Sequence, residues 1–151
     1  MDVFDSRILR SLSNNSKKPL KEIGKEAGLF SASSVSKRIT GMEEDGTIRG
    51  YRCDVDYGKL GYDFLTVTFV KANYRYNYNK EIGRSLSKIK GVVAVYFLLG
   101  EIDFVLLTFS RSKEEYSKIL EQISSIEGVE RSDSRTILEV YKDYALGGLE
   151  F

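Results

Sequence analysis

A chain of 151 residues is long enough for one ordinary domain or two small ones, and 42% hydrophobic with 30% charged content describes a soluble globular protein. With no histidine and one cysteine, Cys53, it lacks the usual general base, a reasonable zinc ligand set and any internal disulfide. No apolar run approaches the roughly 20 residues of a membrane span, and the N-terminus has no signal-peptide pattern. A cytoplasmic protein with no membrane partner, no metal, no cofactor and no enzymatic activity is therefore expected.

The net charge of +1 is unevenly spread. Residues 1–52 hold ten Lys/Arg against seven Asp/Glu, a net of +3, and residues 53–151 hold a net of −2. A net of +3 supports phosphate binding only if the cations share a face or several copies act together.

Taken in order, residues 2–12 place Val3, Phe4, Ile8, Leu9 and Leu12 on one helical face, with Asp5 near the N-terminus. A loop follows, Ser13–Pro19, in which Lys17 and Lys18 could touch a phosphate or simply be solvated. Leu20, Ile23 and Ala27 then predict a short helix, stopped by Gly28 in a left-handed conformation. Leu29 and Phe30 are apolar plugs, and Ser31, Ser33 and Ser34 open a second helix whose buried stripe is Val35, Ile39 and Met42. Ser33, Ser36, Lys37 and Thr40 share its outer face, with no bulky residue in the way. That is what a helix-turn-helix requires of the helix that enters the major groove. The competing reading is an ordinary helical hairpin whose serines are caps. Glu43–Tyr51 reads as a helix end, a Gly46 turn and the start of a strand, a small wing after the second helix.

At this point the residues carry a likeness. Asp5-Ser-Arg-Ile-Leu, the core from Gly28-Leu29 to Arg38-Ile39, Glu44-Asp-Gly-Thr-Ile-Arg-Gly-Tyr51 and Leu60-Gly-Tyr62 resemble, in order over about 60 residues, the N-terminal half of the Lrp/AsnC family of leucine-responsive, or feast/famine, transcriptional regulators. Two departures stand out. Phe30 is inserted where the family reads Gly-Leu-Ser, and Pro19 replaces the usual Ser or Thr cap, which is tolerated because the first helical N–H has no partner anyway. The resemblance implies double-stranded DNA as a partner and Lys17, Lys18, Ser31, Ser33, Ser34, Ser36, Lys37, Arg38 and Thr40 as its candidate contacts. Arg38, beside the core residue Ile39, is expected to hold phosphate or brace the helix rather than read a base.

Tyr51–Gly61 reads as a connector, and the second half starts at Tyr62. Strands are predicted at 64–70, 92–99, 104–109 and 130–141, from β-branched and aromatic alternation, and helices at 80–89 and 113–126. The two helices present Ile82, Leu86 and Ile89, and Tyr116, Ile119, Leu120 and Ile123. Ile89-Lys-Gly-Val92 and Ile126-Glu-Gly-Val129 repeat the same helix-to-strand exit 37 residues apart. The fold class is thus α+β: a winged helix-turn-helix domain (1–54), a linker (55–61) and a ferredoxin-like βαββαβ domain (62–151). The resemblance continues to about Tyr141, and Tyr74, Tyr76 and Tyr78 form a loop that either lines a ligand pocket or folds over the sheet.

Gly100-Glu-Ile-Asp103 is by pattern a hairpin turn. The family has Gly-Asp-x-Asp here, where an amino acid effector binds between subunits, and two hydroxyl residues on the last strand, matched by Ser132 and Ser134. The resemblance therefore implies an effector site of Gly100, Glu101, Ile102, Asp103, Ser132 and Ser134, with Asp103 taking the ammonium. It also implies a homodimer and higher even-numbered assemblies. An effector-independent architectural DNA-binding protein and an enzyme on a ferredoxin-like scaffold are the alternatives.

Overall fold

A computed structural model describes residues 1–73 and 78–142. They form two compact units, one built on Met1–Asp54 and the other on Val55–Val140. The side chains of Tyr74, Tyr76 and Tyr78, and the tail from residue 143, lie outside the described residues.

The first unit has three helices: α1 (Val3–Asn14), α2 (Leu20–Ala27) and α3 (Ala32–Glu44). The Asp2 carboxylate accepts the N–H groups of Phe4 and Asp5, while the Asp5 carboxylate accepts the N–H of Asp2, a reciprocal cap at the start of α1. Ile8, Ile23, Ala27, Val35 and Met42 meet in the core, with Leu9, Leu12, Leu29, Ile39 and Ile48 packed against them. Leu20, expected in the buried stripe, is 38% exposed, and Gly24 takes its place in the interior. A Cβ at Gly24 would come within 3.1 Å of both the Leu29 carbonyl oxygen and a Val35 methyl, so α3 approaches α2 where a side chain is missing.

The turn after α3 forms as expected, but the wing strand does not. Asp45 accepts the N–H of Thr47 at 2.8 Å, and Ile48 N–H reaches back to the Met42 carbonyl at 2.8 Å. Residues 51–56 are then without regular structure. A strand needs a neighbour to pair with, and among the described residues this unit supplies none.

The second unit runs β1 (Phe64–Ala72), α4 (Tyr78–Ser87), β2 (Val92–Phe97), β3 (Phe104–Ser110), α5 (Lys113–Ser124) and β4 (Val129–Thr136), after a short 3-10 turn at Gly58–Leu60. The sheet is antiparallel, ordered β2-β3-β1-β4, which is the ferredoxin-like βαββαβ arrangement. The two Gly exits are the same turn, with Val92 N–H on the Ile89 carbonyl and Val129 N–H on that of Ile126, both at 3.1 Å. Strand β4 stops five residues short of the expected Tyr141. Its partner β1 begins at Phe64, so beyond the Ile137-to-Leu65 hydrogen bond there is no ladder left to join.

Alternation sorts the side chains. Val70, Ala72, Phe104 and Leu106 are buried against Ile82, Leu86, Tyr116, Ile119 and Ile123 of the two helices. The same face buries polar residues, all hydrogen-bonded. Thr66 pairs with Thr108 directly across the ladder, and the hydroxyl of Tyr116 joins Thr68 (2.7 Å) and Ser134 (2.5 Å). The opposite face carries Leu65, Val67, Phe69, Val105 and Leu107, each half-buried, and Phe109, whose ring stacks on Tyr57 at 4.3 Å.

Candidate DNA-reading helix and effector turn

Gly28, at φ 81°, ends α2 in the left-handed region, and its successor Leu29 donates to the Gly24 carbonyl at 2.7 Å. Leu29 turns into the core, while Phe30 turns out. Ser31 caps α3 by accepting the N–H of Ser34 at 3.4 Å, and its hydroxyl meets that of Ser33 at 2.5 Å. Among the exposed residues of α3, Ser33, Ser36, Lys37 and Thr40 are spaced by three and four, so they lie on one stripe, with Glu43 and Glu44 exposed at the far end of the helix. The first turn holds no acidic residue. A polyanion approaching that turn therefore meets short hydroxyls, with Lys37 just beyond them and no acid in the turn itself.

Ser34 and Arg38 are half-buried beside the stripe rather than on it. Of the two roles open to Arg38, the brace is the one seen. Its guanidinium donates to Asp5 (2.7 Å) and Asp2 (2.8 Å) and lies 5.4 Å from the centre of the Phe4 ring. The Asp5 and Asp2 carboxylates hold its pKa above the ordinary value. The start of α1 thus orients α3 through one guanidinium nitrogen of Arg38, Nη1. Lys18 is likewise engaged within the domain, since its ammonium sits 2.7 Å from Glu26, which also accepts the Ser11 hydroxyl at 2.7 Å. Lys17 and Lys37 stay exposed, and neither makes an ion pair within the described residues. Neither partner was foreseen from the residues: Asp2 lies 36 positions from Arg38, and Glu26 eight from Lys18 across the turn into α2.

The carboxylate of Asp2 is held below its usual range by the Asp5 N–H and the Arg38 guanidinium, and that of Glu26 by Lys18 and Ser11. Each folded value is lower than the unfolded one. The stability these groups lend is therefore complete above about pH 4.5 and is lost as pH falls through the lowered folded values. An NMR acid titration of the full chain should show helix amides in residues 1–54 shifting as pH drops below about 4.

Gly100, Glu101, Ile102 and Asp103 connect β2 to β3, closed by Leu98 N–H on the Asp103 carbonyl at 2.8 Å. The Asp103 carboxylate does not bond its own turn. Its Oδ2 accepts the N–H of Ala72 at 2.8 Å and lies 3.5 Å from the Lys71 ammonium, at the point where the β1–β4 register shifts. Its Oδ1 is buried and, among the described residues, is the one buried side-chain polar atom without a hydrogen bond. Glu101 is exposed and 3.7 Å from Arg131, Ile102 is half-buried, and Gly100 faces open space. The two serines are placed less favourably. Ser132 and Ser134 oppose Val70 and Thr68, on the helix-facing side, whereas Lys71 and Arg131 are on the other. The Ser134 hydroxyl is taken up by Tyr116 and Thr68. Within one chain, then, the turn and the serine pair do not converge.

Comparison with known proteins agrees with both halves. Residues 1–43 match the model of the AsnC-type helix-turn-helix domain, and residues 67–146 that of the Lrp/AsnC ligand binding domain. The HTH-type transcriptional regulator FL11 of Pyrococcus horikoshii is 33% identical, over 95% of this chain and 93% of its own. An AsnC family transcriptional regulator from Agrobacterium tumefaciens superposes with a TM-score of 0.87 at 25% identity, covering 99% of this chain and 100% of that one. The feast or famine regulatory protein of M. tuberculosis, complexed with L-methionine, does so at 0.86 and 25%, covering 94% and 95%. None of the helices described here is long and apolar enough to cross a membrane. A three-helix unit followed by a βαββαβ unit thus has its counterparts among transcriptional regulators: the chain belongs to the Lrp/AsnC family of transcriptional regulators.

Proposed function

We propose that α3 reads an operator half-site through Ser33, Ser36, Lys37 and Thr40, and that an amino acid bound at the Asp103 turn modulates this through subunit assembly. The observation that carries the DNA contact is the unobstructed stripe on α3, which stays exposed while Lys18 and Nη1 of Arg38 are held in ion pairs within the domain. Short hydroxyls allow close approach to base edges, and Lys37 supplies charge against the phosphates. Replacing Lys37 with alanine should weaken binding across sequences and lower the slope of log affinity against log salt by about one. Titrations at several salt concentrations that give an unchanged slope would remove Lys37 from the interface.

The effector reading rests on Asp103 Oδ1. A buried carboxylate oxygen without a donor is costly in a folded chain, and an ammonium would satisfy it. An amino acid with an ammonium and a carboxylate has the right chemistry, and the M. tuberculosis relative in complex with L-methionine offers a precedent. Assembly rests on the open face of the sheet. Its half-buried Leu65, Val67, Phe69, Val105 and Leu107 form an apolar surface that a second copy, packing sheet to sheet, would cover. A two-fold dimer then presents two copies of α3 to a symmetric operator, and dimers can join into larger even-numbered assemblies, all acting on DNA in the cytoplasm.

A further inference from the structure

Phe30 stands at the position just before the cap of α3. There an apolar residue ordinarily packs back on the fourth helical residue and fixes how the chain enters the helix. Here that residue is Val35, which is fully buried and already covered, and Leu29 supplies the inward contact. The ring is left with 109% relative exposure. Other exposed apolar residues of the same unit are at least partly covered: Met1 at 81%, Val3 at 56%, Tyr51 at 49% and Leu20 at 38%. Phe30 thus plays no part in the fold, and it sits at the end of α3 from which the hydroxyl stripe begins.

We propose that Phe30 is a specificity-determining residue whose ring packs against the 5-methyl group of a thymine in the major groove. This rests on the reading of α3 as the DNA-reading helix. The residues at the start of such a helix are the ones that reach base edges, and the thymine methyl is the apolar feature of that groove, one that phenylalanine can contact. The neighbours agree with it. Ser31 and Ser33 are short and bonded to each other, so no bulk stands between the ring and a base, and no acid in the first turn repels the flanking phosphates.

The test is in vitro selection from a random duplex library, run in parallel on the full-length protein, Phe30→Ala and Phe30→Leu. The wild type should select a motif with a thymine in each half-site. Phe30→Ala should lose that preference while other positions persist, and Phe30→Leu should retain part of it. Replacing that thymine with deoxyuridine, which lacks only the methyl, should weaken wild-type binding by about fourfold and leave Phe30→Ala unaffected. All three proteins should melt at the same temperature, since the ring makes no packing contribution. If Phe30→Ala selects the same motif with the same thymine preference, or uracil costs both proteins equally, the proposal is overturned while the DNA-reading role of α3 stands. If the wild type selects no motif, that role falls, and this proposal with it.

Discussion

Replacing Phe69 with lysine should break the proposed sheet-to-sheet dimer into folded monomers and cut affinity for operator DNA by at least about a hundredfold, the advantage that linking two binding heads typically supplies. Phe69 lies on the central strand β1, on the face away from the helices, opposite Val105 on one side and Asp133 on the other. In a sheet-to-sheet dimer its lysine replacement would sit in an apolar interface, in both copies, where an uncompensated charge costs several kcal/mol. In the monomer the same lysine faces water and can approach Asp133, so the fold itself should survive. Light scattering at micromolar concentration is the measurement. A wild type that is already monomeric, or a variant that keeps its wild-type mass and DNA affinity, would show that this face is not the assembly surface.

The other large effect is expected at Asp103. An asparagine there can still accept the Ala72 N–H through its amide oxygen, so β1 keeps its anchor. It loses the negative charge, and truncating one partner of a buried charged pair costs roughly 2–5 kcal/mol. Asp103→Asn should therefore fold and bind DNA normally while effector affinity falls at least about tenfold, or ~1.4 kcal/mol. Asp103→Ala separates the two roles, because it also strands the buried Ala72 N–H at a cost of about 1–3 kcal/mol, visible as a lower melting temperature. The effector itself is found first, by screening the standard amino acids for one that raises the melting temperature. Calorimetry showing equal effector binding by wild type and Asp103→Asn would mean that the carboxylate serves only the end of β1.

Periodicity made much of this architecture legible. The stripes Val35–Ile39–Met42, Ile82–Leu86–Ile89 and Tyr116–Ile119–Ile123 all face a core, and the repeated Gly-Val exit marks two equivalent turns. Such patterns report which face of an element is covered. They do not report which charge a side chain finds after folding. Arg38 meets Asp2 across 36 residues and Asp103 meets Ala72 across 31, and no local rule connects such positions. The same gap explains Ser134, an expected effector contact whose hydroxyl is bonded to Tyr116 of α5. Gly24 was missed for the opposite reason: an absent side chain leaves no hydrophobic signal, yet it sets how near α2 and α3 can come. The wing failed because turn residues announce where a chain reverses, not whether a partner strand exists.

The hydroxyl triangle of Thr68, Tyr116 and Ser134 has a mechanical side. Its corners belong to β1, α5 and β4, so it bolts one helix to two strands at a single buried point. Were α5 to slide by a helical turn, about 5.4 Å, it would shear two of these bonds at once and leave the hydroxyls of Thr68 and Ser134 to each other in the interior. Small slips are therefore resisted and large ones are steeply uphill. Whatever this layer transmits, it transmits as one stiff plate, and the compliance that a regulator needs has to reside outside it.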